Sequence, residues 1–159
     1  MKINIQIVYT ALLFVYSQIV NSVYDEKMAK RAVSLAQASY CDDATDPTYI
    51  VDTIIENHGS KALLGYDNYS ETVFAAFRGS SNTHNWMEDI QISQIAPYEN
   101  ETIKIEKGFY KNYDYLKQEL FENIETIVAR YKTDKLMITG HSLGSAAATL
   151  FAYDLYANP

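Results

Sequence analysis

Gly140-His141-Ser142-Leu143-Gly144 brings together residue types at a spacing that suits covalent catalysis by a serine hydroxyl. It is the G-x-S-x-G arrangement of a nucleophile elbow. To lift the hydroxyl out of a strand-to-helix turn, the chain must hold Ser142 in a strained conformation. The residues two before and two after then pass where a Cβ would collide, and glycine at both places relieves this. A helix starting just after the serine aims backbone N–H groups, that of Leu143 among them, at the space above the hydroxyl. A tetrahedral intermediate would place its negative oxygen there. The chemistry is acyl transfer, which needs neither metal nor nucleotide, so no cofactor is expected. The same five residues also fit a glycine-flanked turn in a nonenzymatic α/β domain.

The elements that must hold such a turn follow from hydrophobic spacing. Met28, Ala32, Leu35 and Ala36 recur at helical intervals, which predicts an amphipathic helix from Asp25 to about Ser39, ended by polar Asp42 to Asp46 and Pro47. Two apolar runs, Ala62 to Tyr66 and Thr72 to Phe77, are split by Asp67-Asn68-Tyr69-Ser70, the composition of a turn between paired strands. Val73 to Phe77 is apolar on both faces and so belongs inside a sheet covered above and below. Phe109, Tyr113, Leu116, Leu120, Ile124, Ile127 and Tyr131 mark a long core-facing helix. A further apolar run, Leu136 to Thr139, leads into the glycine turn and the helix carrying Ala146 to Ala148, Leu150, Phe151 and Leu155. Strands alternating with helices predict an α/β sandwich with a largely parallel sheet, in one domain.

Composition narrows the partners. The 159 residues are 48% hydrophobic and 21% charged, with a net charge of −7, which excludes condensation onto nucleic acid. One cysteine and three histidines supply no structural zinc set and no internal disulfide. Met1 and Lys2 precede an apolar stretch from about Ile5 to Tyr16, with Val20 and Ser22 three and one residues before a cut. This predicts a secretory signal peptide over 1–22 and an exported domain over 23–159, a membrane anchor being the other reading of the same stretch. Asn68-Tyr69-Ser70 and Asn100-Glu101-Thr102 fit the N-glycosylation pattern.

Two blocks together carry a family resemblance: Phe77-Arg78-Gly79-Ser80-Ser81 followed by Asn85, Trp86 and Asp89, and Gly140 to Gly144 with its alanine-rich helix. The chain resembles the class 3, fungal lipase-like proteins of the α/β-hydrolase superfamily. Tyr40-Cys41 and Lys107-Gly108-Phe109 also look like family features, so the resemblance runs from about Met28 to the last residue. It implies an α/β-hydrolase fold with Ser142 as nucleophile and the N–H groups of Ser80 and Leu143 as oxyanion hole. It further implies that Asp89 fixes the Ser80 hydroxyl, that His141 supports the site, and that residues from about Ser81 to Ile90 form a lid. In that lid His84, Asn85 and Trp86 contact substrate, and Trp86 meets a lipid interface transiently. Trp86, Met87 and Ile90 would give a short helix an apolar face. Without the resemblance, Trp86 reads first as a core residue, and Arg78 equally as one half of an ion pair. The implied partner is a lipid or other ester, and the complete protein would be a monomer. The chain departs from the family at Glu106, usually histidine, and at Ser145, often glycine.

A serine hydroxyl needs a histidine base oriented by a carboxylate, and in this superfamily these follow the serine. After Ser142 there is no histidine, and the one acid, Asp154, lies twelve positions along the same helix, ~18 Å away. His58, His84 and His141 precede or adjoin the serine. These observations predict an N-terminal portion of the domain, with an exposed edge at the Leu136–Thr139 strand, poor solubility and no activity on its own. The resemblance implies that Cys41 pairs with a C-terminal part. The expected function is an exported serine ester hydrolase acting on acylglycerols. The alternatives are a noncatalytic lipid-binding relative and an unrelated secreted α/β binding domain.

Overall fold

A computed structural model describes residues 24–41, 46–80 and 93–157. The expected signal peptide, the helix-ending residues 42–45 and the expected lid, with His84, Asn85, Trp86 and Asp89, lie outside the described residues.

Helix α1, Glu26–Ala38, begins at Asp25, whose carboxylate accepts from the N–H groups of Lys27 and Met28 at 2.9 and 3.0 Å. That cap satisfies donors that have no partner inside the helix. Of the expected stripe, Leu35 and Ala36 are buried and Met28 and Ala32 half-buried.

Strand β1, Tyr49–Asn57, has no counterpart among the sequence expectations. Its register slips between Val51 and Thr53, and Asp52 is drawn to Arg130 of the long helix. Such a bulge breaks the period-two alternation by which a strand is read. His58 and Gly59, at φ +49° and +79°, turn the chain directly into β2, Ser60–Asp67. Two left-handed residues are what a tight hairpin turn of the right twist demands. The expected Asp67–Ser70 turn then returns the chain as β3, Thr72–Phe77, and the Asp67 carboxylate receives Arg31 Nε at 2.8 Å and Ser70 Oγ at 2.6 Å.

After a short pairing of β4, Gln94–Ile95, with β5, Ile105–Glu106, the chain enters helix α2, Lys107–Tyr131. Glu106, the departure from the family pattern, caps this helix by accepting Phe109 N–H at 2.8 Å. Strand β6, Leu136–Gly140, and helix α3, Leu143–Ala157, complete the described chain.

The main sheet runs β1-β2-β3-β6 and is mixed, not largely parallel as expected: among the described residues only β3 and β6 are parallel. Short turns force the two hairpin pairs antiparallel, and only the α2 crossover is long enough to bring a strand back in the same direction. One face buries Leu64, Ala75 and Phe77 against Leu116, Leu120 and Ile124 of α2 and Ala147 and Phe151 of α3. The other packs Leu63, Phe74 and Ala76 against Leu35 and Ala38 of α1. Every residue of β3 is buried, as its two-sided apolar run predicts, whereas β6 is half-buried at the sheet's edge among the described residues.

Asp154 is fully buried where α2 and α3 meet, and Tyr113 Oη and Lys117 Nζ each reach it at 2.7 Å. It serves as a brace between helices, in keeping with its distance from the serine. No described helix is long and apolar enough to cross a membrane.

Candidate active site at the β6–α3 turn

Parallel pairing of Val73 with Leu136 through Phe77 with Gly140 makes β3 and β6 end at the same level. The chain leaving β3 at Gly79-Ser80 is thereby set against the chain leaving β6 at Ser142. Ser142 has φ +56°, a conformation that a residue with a side chain adopts at a cost. Its side of the turn is exposed to solvent.

The flanking glycines have separate steric causes. A Cβ on Gly140 would lie 2.3 Å from the carbonyl oxygen of Gly144, and one on Gly144 would lie 2.3 Å from that of Phe77. Thus Gly140 lets the turn close on itself, and Gly144 lets α3 rest on the end of β3. Helix α3 starts with Gly144 N–H on His141 C=O at 3.0 Å and Ser145 N–H on Ser142 C=O at 2.9 Å. Ser145, the second departure from the family, adds its hydroxyl to the Ser142 carbonyl at 2.5 Å.

Gly79 is equally confined. A Cβ there would meet Tyr40 Oη at 2.3 Å, His141 C=O at 2.6 Å and Ser142 Cβ at 3.2 Å. The Tyr40 hydroxyl accepts Gly79 N–H at 3.1 Å and shares a hydrogen bond with His141 Nδ1 at 2.9 Å. One phenol thus ties the turn after β3 to the turn after β6. Sequence reasoning used Tyr40 only as part of the resemblance and missed this link, which joins residues 39 and 101 positions apart and leaves no local pattern.

His141 therefore engages Tyr40. His58 lies in the β1–β2 turn, stacked on Tyr115 with ring centroids 4.4 Å apart. Arg78 sends Nη2 to Glu56 at 3.1 Å and to the Gly59 carbonyl at 2.9 Å, the ion-pair reading of that residue. A cavity of about 330 Å³ opens beside the turn, with Gly79, Ser80 and Leu143 on one wall. Its opposite wall is Ser60, Lys111, Asn112, Tyr115 and His58. A more apolar groove of about 370 Å³ runs between α1 and the end of β6, past Ala32, Ala36, Tyr40 and His141.

The remaining expected positions are dispersed. Asn68 and Asn100 are exposed, Asn68 in the β2–β3 turn and Asn100 accepting from Thr102 Oγ1 at 2.6 Å. Cys41 is an exposed free thiol whose carbonyl accepts Lys61 Nζ at 3.0 Å. Among the described residues no cluster of three or more His, Cys, Asp or Glu could hold a metal.

The family model for lipase (class 3) matches residues 74–159. A lipase of Rhizomucor miehei is 32% identical over 117 residues, covering 72% of this chain and 32% of that protein. A secreted mono- and diacylglycerol lipase A of Penicillium camembertii is 32% identical over 92 residues, covering 58% and 30%. The chain thus spans about a third of the length of these curated relatives. A solved structure of Rhizomucor miehei triacylglyceride lipase superposes with a TM-score of 0.73 at 26% identity, over 84% of this chain and 57% of that one. A shared fold, a match across more than half the chain and two independent relatives converge on one placement: the chain belongs to the class 3 lipase family and has the α/β-hydrolase fold.

Proposed function

We propose that the whole protein is an exported serine ester hydrolase of the triacylglycerol lipase type, with Ser142 as nucleophile. The observation that carries this reading is an exposed serine at φ +56°, wedged between Gly140 and Gly144 with Gly79 against its Cβ. Ser142 Oγ attacks the acyl carbon and passes its proton to a histidine base, which a carboxylate orients. The carbonyl oxygen becomes an oxyanion, held by the N–H groups of Ser80 and Leu143. Collapse expels the alcohol, which takes the proton from the base, and leaves an acyl-serine. Water then repeats the sequence and releases the acid. Both Ser80 and Leu143 line the cavity beside the turn, which favours them as the donors.

On this reading Asp89 fixes the Ser80 hydroxyl, His141 holds the turn through Tyr40, and His84, Asn85 and Trp86 belong to a lid over residues 81–90. The signal at 1–22 directs export, which fits the exposure of both sequons. The substrate is a lipid ester, matched to the relatives named as lipases.

Labelling by a fluorophosphonate probe tests the assignment in the protein expressed at its full natural length. Ser142→Ala abolishes labelling if the reading holds. Equal labelling of both forms refutes it, and lipid binding without labelling of either favours the noncatalytic relative.

A further inference from the structure

The turn between β2 and β3 is fastened by its own side chains. The buried Asp67 carboxylate takes Arg31 Nε at 2.8 Å, Ser70 Oγ at 2.6 Å and Tyr69 N–H at 3.3 Å. Asn68 N–H donates to the Thr48 carbonyl at 3.0 Å, and Thr72 Oγ1 to that of Ser70 at 2.9 Å. Short polar side chains commonly spend themselves on such turns. Asn68 is the exception, because its exposed amide makes no side-chain hydrogen bond to a described residue. At the other sequon, Asn100 Oδ1 accepts both Thr102 N–H at 3.1 Å and Thr102 Oγ1 at 2.6 Å.

A groove of about 280 Å³ opens beside the β2–β3 turn, lined by Lys27, Lys30, Arg31 and Ser34 of α1, by Thr48 and by Tyr69. Asn68 stands between two of these walls, since Tyr69 is the next residue and Thr48 holds the Asn68 N–H. Most of the positive charge is already spent. Arg31 serves Asp67 and Thr48, and Lys30 pairs with Glu26 at 2.6 Å, which leaves Lys27 unpaired among the described residues. One exposed ammonium makes a weak anion site but a good donor to a neutral acceptor. Tyr69 is 61% exposed and offers a largely uncovered aromatic face. Such a face with donors at its margin suits a ligand that is apolar on one side and polar at its edge, the character of a sugar ring. The volume lies just under the ~300 Å³ at which small-ligand sites begin, room for one ring rather than for a lipid.

We propose that Asn68 carries an N-linked oligosaccharide whose first N-acetylglucosamine seats in this groove, its ring on Tyr69 and its acetamido oxygen toward Lys27 and Ser34, so that the sugar clamps α1 to the β2–β3 turn. The proposal rests on the export reading, because export brings the chain to the transferase and to its lipid diphosphate-linked sugar donor. In the transfer Asn68 Nδ2 bonds to the anomeric carbon, the bond from that carbon to the diphosphate oxygen breaks, and one amide proton leaves to solvent. Nothing is oxidised or reduced. The clamp is remote from acyl transfer: Asp67 pairs with Thr72 at one end of the sheet, and Phe77 with Gly140 at the other.

The protein at its full natural length is secreted from a eukaryotic host and mapped by mass spectrometry. Asn68 carries the sugar, and Asn68→Gln loses it. The melting temperature falls by about 2–4 °C in Asn68→Gln, the shift that one aromatic contact gives in a domain of about 150–250 residues. Trimming with an endoglycosidase to the first sugar needs no substitution and leaves the melting temperature unchanged. Tyr69→Ala keeps the sequon and lowers the melting temperature of the glycosylated protein, but not that of Asn68→Gln. Fluorophosphonate labels every form at the same rate. An unmodified Asn68 in secreted protein overturns the clamp and leaves export standing. So does a shift on trimming to the first sugar, or a Tyr69→Ala loss of equal size with and without the sugar. Protein retained in the cell with both sequons unmodified brings down the export reading and the clamp together.

Discussion

Replacing Gly144 by alanine tests whether the close seating of α3 on β3 is what presents Ser142. The added methyl would lie 2.3 Å from the Phe77 carbonyl oxygen and 2.8 Å from the carbonyl carbons of Phe77 and Arg78. All three are backbone atoms at the end of a fully buried strand, so no flexible side chain can yield and α3 must lift. Overpacking of this kind costs about 1–3 kcal/mol, which for a domain of this size lowers the melting temperature by about 2–12 °C. Lifting α3 also carries the Leu143 N–H away from the oxyanion position. A displacement of about 1 Å there reduces the rate by about 100-fold. Gly65→Ala separates the two effects: its methyl would lie 1.9 Å from the Ile50 carbonyl oxygen, inside the sheet and outside the candidate site. We expect Gly65→Ala to melt early while its folded fraction labels with fluorophosphonate at the wild-type rate, and Gly144→Ala to melt early and label about 100-fold more slowly. Wild-type labelling in folded Gly144→Ala would refute the steric account of the elbow.

Tyr40→Phe strands the Gly79 N–H and frees His141 Nδ1. Stability should fall by about 1–2 kcal/mol in urea titration and labelling should slow severalfold, whereas unchanged values would show that the phenol bridge positions nothing. Acid should unfold the protein through its buried carboxylates. At Asp154 burial raises the pKa, but Lys117 and the hydrogen bond from Tyr113 outweigh it and hold the carboxyl below its ordinary 3.8. At Asp67 burial is likewise outweighed, by Arg31, Ser70 and Tyr69. Folded values below the unfolded ones mean that this stability is complete above about pH 5 and drains away as pH falls below 4 and through the folded pKa. The urea midpoint should therefore drop between pH 5 and 3, and more shallowly in Asp67→Asn, and a midpoint flat across that range would refute it.

The elements legible in the sequence are those whose contacts repeat locally. Helix α1 begins just after Asp25, where its apolar spacing placed it, α2 follows its three-and-four spacing from Tyr113 to Ile127, and β3 is buried along its whole length. The crowding at Gly140 is likewise local, with residues four and five positions away, whereas that at Gly144 is with Phe77 and Arg78 across the fold. Strand β1 was not legible, because a bulge at Asp52 shifts its alternation and its pairing is decided by β2. Nor was the mixed sheet, which depends on which connections are too short to cross over.

The resemblance placed the base and acid after Ser142, where this sequence has no histidine, and the lid over residues 81–90, outside the described residues. The structure instead supplies the phenol of Tyr40 between Gly79 and His141, and a polar wall where His58 meets Tyr115. Hydrophobic period and turn chemistry act within about five residues, so a single chain discloses them. Which distant side chains meet is settled only when the sheet's register brings β3 and β6 to a common end and α2 carries Lys111 and Tyr115 against the β1–β2 turn.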